Sequence, residues 1–297
     1  MTGHSPNSGP SSVWMTGERT LADQLRCGGY TPATQFDHEQ VPPKIAAHAI
    51  AALSRPGDLV LDPDCGAGTV PTEALYADRR AIGLTSNPRW RRVARRNITA
   101  ARRNGAQRPG TVITGDASLL RDAEATGLAG QVDLVLTGFR MTDRTPTESV
   151  PDTDCERLAE GLSFCRPLLR AGGRIVVIIR PVRYGGALLD LPARVLEAGS
   201  AVGFVPMQRG IALTARVRGH RVITRAGFAE RQAAARACAG GVPVALTAHY
   251  DVVIFQAPVF PDSLANNAIT GWQPAPATAL SGRLLTSEPD PDRKWAT

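Results

Sequence analysis

The run Asp62-Pro63-Asp64-Cys65-Gly66-Ala67-Gly68-Thr69 holds the residue types and the spacing that can do chemistry. It follows the apolar stretch Leu59-Val60-Leu61 and precedes the helical pattern of Val70 to Tyr76. An acid and Gly-x-Gly at a strand-to-helix turn let the backbone approach a ligand beyond the strand ends of an α/β sheet. A dinucleotide site would add a third glycine for close helix–strand packing. That position is Pro71, which argues against a dehydrogenase. Charge marks a second candidate. Ten arginines and no acid lie between Arg79 and Arg108, and seven arginines against Glu230 alone between Arg209 and Arg236. The net charge is +7, so the rest of the chain is acidic, and this asymmetry points to an anionic partner, nucleic acid first. The same arginines also read as solvated helix faces, since 32 of the 34 basic residues are Arg.

These residues need strands and helices to hold them. A helix beginning near Pro42 puts Ile45, Ala49 and Leu53 on one face and stops at Arg55-Pro56-Gly57. Strands follow at Asp58–Asp62, Ala81–Leu84, Thr111–Ile113, Asp133–Thr137 and Arg174–Ile179, the last with the unbroken apolar run of a strand buried on both faces. Asn87-Pro88 caps a helix that buries Trp90, Val93, Ala94, Ile98 and Ala101 and turns its arginines outward. Helices are expected over roughly Cys155 to Leu169 and Leu188 to Ala198, and a closing strand pair near Phe204–Leu213 and Tyr250–Phe255. Strands alternating with helices predict an α/β sheet of about seven strands with helices on both faces.

Length and composition bound the rest. At 297 residues, 43% hydrophobic and 21% charged, the chain can build one large α/β domain. No apolar run approaches the ~18–20 residues of a membrane span. The Ser/Pro/Gly-rich start has no basic segment followed by an apolar one, which points to a cytoplasmic protein. The five scattered cysteines include no C-x-x-C pair and the five histidines lack ligand spacing, so neither a disulfide framework nor a metal site is expected. Residues 1–12 and 258–297 read as disordered tails around a domain over 13–257.

The segment from Pro42-Pro43-Lys44-Ile45 to the Asp62–Thr69 loop resembles the cofactor motif of the DNA methyltransferases that modify the exocyclic amines of adenine or cytosine. The similarity continues through Gly115-Asp116, Asp133–Thr137, Leu169–Arg174 and Gly241–Phe255. The resemblance implies a class I methyltransferase fold, a Rossmann-like, mostly parallel, seven-stranded sheet, with S-adenosylmethionine as cofactor. It places Asp62, Asp64, Cys65, Gly66, Ala67, Gly68, Thr69, Thr85 and Asp116 around that cofactor. The implied partner is nucleic acid, DNA before RNA, with Arg92, Arg95, Arg96, Arg216, Arg218 and Arg221 as candidate phosphate contacts.

Two positions depart from the family. Its second strand ends in an acid that holds both ribose hydroxyls, and here the position is Thr85. Its fourth strand runs into an Asp/Asn/Ser-Pro-Pro-aromatic tetrad that orients the target amine and stacks the flipped base. Gly138-Phe139-Arg140-Met141 matches none of the four: Gly138 offers no side-chain acceptor, and Arg140 brings a cation toward a sulfonium. Phe139 remains a candidate for stacking, with Thr137 beside it. The reading is a methyltransferase-like protein with weak or no catalysis. The alternative is a catalytically dead module that holds nucleic acid or a protein partner.

Overall fold

Alternation of β-branched runs with amphipathic stretches gives alternating elements, in the order β1 (Val13–Met15), α1 (Leu21–Cys27), α2 (Pro43–Leu53), β2 (Leu59–Asp62), α3 (Thr69–Tyr76), β3 (Arg80–Thr85), α4 (Pro88–Arg103) and β4 (Gly110–Thr114). There follow β5 (Val132–Gly138), α5 (Asp152–Cys165), β6 (Leu169–Ile179), the short pair β7 (Arg183–Tyr184) and β8 (Ala187–Leu188), and α6 (Leu191–Ala201). The chain continues through β9 (Val205–Leu213), the hairpin β10 (Arg216–Arg218) and β11 (Arg221–Ile223), α7 (Phe228–Ala239) and β12 (His249–Gln256). This is a computed structural model that describes residues 11–141, 152–184, 187–242 and 244–258. The expected tails lie almost wholly outside the described residues. Ser12 is an exception, because its carbonyl accepts a hydrogen bond from Ile211 N–H and joins the sheet edge.

Among the described residues, eight strands form one sheet in the order β1-β9-β12-β6-β5-β2-β3-β4. β2, β3, β4, β5 and β6 are mutually parallel, and β12 runs antiparallel to both β6 and β9. Leaving β1 aside, that order, with the last strand inserted antiparallel, is the class I methyltransferase sheet. The eighth strand was not expected: β1 adds parallel to β9 at the edge, and three residues with one buried, Trp14, carry no period to read. The strands split their apolar residues by period two between two cores. Val60, Leu134, Leu136, Val176 and Ile178 pack under α2, α3 and α4, while Leu61, Val135, Ile175, Val177 and Phe255 pack under α5 and α6.

Helix starts follow capping chemistry. Asn87 accepts a hydrogen bond from Arg89 N–H with Pro88 in the first turn, as predicted, and Asp190 does the same for Ala193 N–H ahead of α6. The helix expected from Leu188 therefore begins at Leu191, and the one expected to reach Leu169 gives way at Arg166-Pro167-Leu168 to a single tight turn. No helix among the described residues is long and apolar enough to cross a membrane.

Candidate functional site

A cavity of about 640 Å³ opens over the C-terminal ends of β2, β3, β4 and β5, walled on its far side by α5. That is the switch point of the sheet, where strand order reverses between β2 and β5 and where open α/β sheets bind ligands. Its volume lies within the ~300–1,000 Å³ of small-molecule sites.

The glycine turn is built for the cavity and for α4 at once. Asp62, buried at the end of β2, accepts a hydrogen bond from Asp64 N–H at 3.1 Å and starts the turn. Gly66 and Gly68 hold φ of +49° and +80°, a region where a side chain is strained. A Cβ on Gly68 would sit 2.7 Å from the Ala94 Cβ, so this glycine is required by the approach of α4 rather than by ligand space, which corrects the expectation that it faces the cofactor. Cys65, Ala67 and Thr69, expected around the cofactor, are likewise buried behind the turn and do not line the cavity, and Asp62 sits beneath it. Of the turn's backbone N–H groups, those of Asp64, Cys65, Ala67 and Gly68 already have protein acceptors. The turn is therefore no phosphate cradle, which needs free N–H groups pointed at the anion.

The predicted Asp64, Gly66, Thr85 and Asp116 do line the cavity. Thr85 is 3% exposed, followed on the wall by Ser86, Asn87 and Trp90. Trp90 was expected in the core of α4; it is only partly buried and faces the cavity instead. Asp116 accepts a hydrogen bond from Ser118 N–H, and contacts with Ser118 hold its carboxyl below the usual range. Ser86, Asn87 and Trp90 were missed as site residues because neither glycine nor acid marks them. Their signal was adjacency to the Asn87-Pro88 cap.

At the end of β5 stands Gly138, expected at the acceptor position, whose missing Cβ would meet Val41 Cγ2 at 3.3 Å and the Glu39 carbonyl at 3.4 Å. Phe139, expected beside a target base, is 6% exposed, donates its N–H to the Ile178 carbonyl at 2.8 Å, and packs in the core under α5 and α6 while also lining the cavity, so little of it is left open to stack on a base. Thr137 does line the cavity, with its buried hydroxyl close to the Asp62 carboxyl. Met141 also stands on the cavity wall.

Arg140 is not a free cation. Its guanidinium donates to both carboxylate oxygens of Asp37, at 3.2 and 3.3 Å, and to the Asp64 carbonyl at 3.0 Å, with the Asp64 carboxylate 3.6 Å away. The pair lies directly over Gly66, where a Cβ would come within 2.1 Å of Arg140 Nη2 and 2.2 Å of Asp37 Oδ2. Asp37 also accepts from Ala67 N–H at 2.8 Å, so one carboxylate ties the segment before α2 to the glycine turn and to the acceptor loop. Burial works against the guanidinium's charge, and Asp37 and Asp64 more than restore it, holding its pKa above the usual value. With Asp37, Asp64 and Asp62 around one arginine, the local balance is not positive, and the expected repulsion of a sulfonium is removed. Asp37 was missed because it precedes the glycine turn by a whole helix and strand.

Two buried carboxyls give the fold a pH signature. Burial pushes Asp62 up to about 7 against the pull of Arg140. It pushes Glu73 to about 7 as well, although Glu73 accepts a 2.7 Å hydrogen bond from Tyr30. Glu73 lies outside the cavity, as a packing residue would. Both values are raised above those of the unfolded chain, so the native state binds more protons between about pH 4 and 7, and stability falls as pH rises through that window. His48, lowered by burial, opposes this only below about pH 6.5. The urea midpoint is expected to be higher at about pH 5.5 than at about pH 8, with the difference reduced in Glu73→Gln. A midpoint that climbs over that range contradicts the assignment.

The comparisons with known proteins follow this geometry. Residues 9–96, from β1 through the glycine turn into α4, match an N6/N4 methyltransferase family described as DNA methylase. No curated protein matches the chain in sequence. Among solved structures, TrmN from Thermus thermophilus is 18% identical with a TM-score of 0.46 over 73% of this chain and 49% of its own, so the chain spans about half of TrmN. A TehB-like SAM-dependent methyltransferase from Corynebacterium glutamicum is 15% identical with a TM-score of 0.43, over 80% of this chain and 95% of that one. A geranyl diphosphate methyltransferase in complex with SAM is 14% identical with a TM-score of 0.47, over 73% and 85%. Strand order and direction, not these distant likenesses, carry the fold. Sheet, glycine turn and sequence match agree: residues 9–96 are similar to the N6/N4 DNA methylase family, and the strands are ordered as in a class I methyltransferase fold.

Proposed function

We propose that the chain holds S-adenosylmethionine in the cavity and nucleic acid at its rim, without transferring the methyl group to base amines. The observation that carries this reading is the acceptor loop, where Gly138 supplies no side chain and Arg140 is locked to Asp37 over Gly66. When bound, S-adenosylmethionine offers an electrophilic methyl group on a sulfonium. Thr85, Ser86, Asn87, Trp90 and Asp116 would hold its nucleoside end, with hydroxyls and an amide where the family has a carboxylate. Losing a charge-assisted hydrogen bond there weakens binding by about 1.5–3 kcal/mol. The other end of the cofactor would meet Asp64 and the Arg140–Asp37 pair.

A second reading keeps catalysis. Glu39 lines the same cavity beside Gly138, and its carboxylate makes no hydrogen bond or ion pair among the described residues. It could accept the target amine in place of the missing side chain.

Titration calorimetry with S-adenosylmethionine tests the cofactor half. Gly161, in α5, lines the cavity, and a Cβ there would make only ordinary contact with Ala117 at 3.5 Å. Gly161→Leu is expected to abolish the heat of binding while leaving the melting temperature no lower, since leucine is the better helix former. Thr85→Asp is expected to tighten binding by roughly tenfold. Heat unchanged by both substitutions would place the cofactor elsewhere.

A further inference from the structure

Among the described residues two groups of guanidiniums make no ion pair, and the sheet fixes where they stand. In the hairpin, Arg216, Arg218 and Arg221 are exposed and make no hydrogen bond or ion pair among the described residues. Arg218 is paired directly across the ladder with Arg221, and Arg216 with Ile223, so the three arginines share one face of a two-stranded ribbon. Like charges opposite each other destabilise a ladder unless an anion lies between them. The base of the ribbon is nonetheless fixed. Ala215 and Ala226 are buried, Thr214 N–H donates to the Ala248 carbonyl, and Arg225 donates to the Gly17 and Glu18 carbonyls. A rigid base under a tip of unneutralised charge is a surface organised for a polyanion.

β9 is antiparallel to β12, which is antiparallel to β6, so β9 runs in the same direction as β2, β3 and β5. The hairpin that follows β9 therefore leaves the sheet at the edge that carries the cavity. α4 starts at that same edge, after β3, and exposes Arg92, Arg95 and Arg96 with no counter-ion among the described residues. The two groups lie at opposite ends of the strand order, with the cavity between them. From β9 to β3 and β4 are five to six strand spacings, about 24–29 Å at ~4.8 Å each. At ~3.4 Å per base pair this is about seven to nine base pairs.

The geometry points to a bracketed footprint: one DNA duplex lies along the C-terminal edge of the sheet, the ribbon engaging its phosphates at one end and α4 at the other, across the mouth of the cavity. This deepens the proposed function and rests on its nucleic-acid half. Neither group makes one continuous patch with the other, so a duplex too short to reach both must choose between them.

Fluorescence anisotropy with duplexes of about 6 to 16 base pairs at fixed low salt tests the arrangement. Affinity is expected to rise by roughly 10²-fold between duplexes too short and long enough to span both groups, as for any second contact made intramolecular. The triple variant R216A/R218A/R221A is expected to lose that step and to flatten the log–log salt slope by about 2–3. R92A/R95A/R96A is expected to do the same, with the two slope changes adding. Unchanged cofactor heat and melting temperature confirm that the variants are folded. If wild type binds duplex while the hairpin variant keeps both step and slope, the footprint is wrong and the proposed function stands. If wild type binds no duplex at low salt, the nucleic-acid half of the proposed function fails with it. Equal binding of heparin with no length step would reduce the ribbon to a general polyanion contact and overturn the footprint.

Discussion

Wild-type protein incubated with duplex DNA and excess S-adenosylmethionine is expected to leave adenine and cytosine amines unmethylated. Transfer needs a polar acceptor at ~3 Å from the amine, an aligned lone pair and a stacked base. Gly138 provides no side chain, and the Phe139 ring is buried in the core under α5 and α6. Each missing preorganised group costs on the order of 10²-fold in rate. Grafting Asn-Pro-Pro-Tyr over positions 138 to 141 is not a clean repair here. It would remove the core ring of Phe139 and its N–H bond to Ile178, and it would leave Asp37, 3% exposed, without Arg140. The conservative repair is G138N with M141Y, which restores an acceptor and a ring and leaves both of those contacts in place. An asparagine at 138 must press Val41 and the Glu39 carbonyl apart by a few tenths of an ångström, since its Cβ meets them at 3.3 and 3.4 Å. Scintillation counting with labelled cofactor is expected to show transfer above wild-type background for the repaired protein. Turnover by wild type that Glu39→Gln abolishes would establish the second reading and identify Glu39 as the acceptor.

The parts of this molecule that were legible in the sequence are those where local chemistry and long-range packing agree. Asp62, Gly66 and Gly68 fall between an apolar strand and a helix, and the turn forms where the pattern places it. Ile175 to Ile179 is apolar at successive positions because alternate residues feed two different cores, which marks a central strand. Gly68 was misread because glycine reports only that something comes close; here it is Ala94 of α4. Trp90 was misread because its spacing continues the buried stripe of α4, although the helix reaches the open cavity at that turn. The hairpin from Arg216 to Ile223 is not legible within its arginine-rich stretch, since its two three-residue strands give no period beyond Val217 and Val222. The Asp37–Arg140 pair joins residues 103 positions apart, and no local pattern encodes such a partner.

Arg140→Met is expected to be among the most damaging single substitutions in the domain, costing about 3–5 kcal/mol. Breaking a buried ion pair from one side leaves an uncompensated charge in low dielectric. The guanidinium is 15% and the Asp37 carboxylate 3% exposed, so the discount that applies to surface pairs does not apply. Asp37 would keep its bond from Ala67 N–H, and one neutral donor does not replace a bidentate cation. For a domain of this size the loss corresponds to a drop of roughly 10 °C in melting temperature. The double variant D37N/R140M removes both charges and keeps an acceptor for Ala67 N–H, so most of the loss is expected to return. A single variant that melts within about a degree of wild type would show that the pair is not structural. The double variant also separates two roles that the geometry joins. The pair fills the space over Gly66, against the cavity proposed to hold the cofactor. If the guanidinium serves as a lock between Asp37 and the glycine turn, removing both partners frees that space, and S-adenosylmethionine binds the double variant at least as tightly as wild type. If the guanidinium itself meets the cofactor's carboxylate, affinity falls although the fold is restored, and calorimetry on a protein with recovered stability reads that fall without the confounding effect of unfolding.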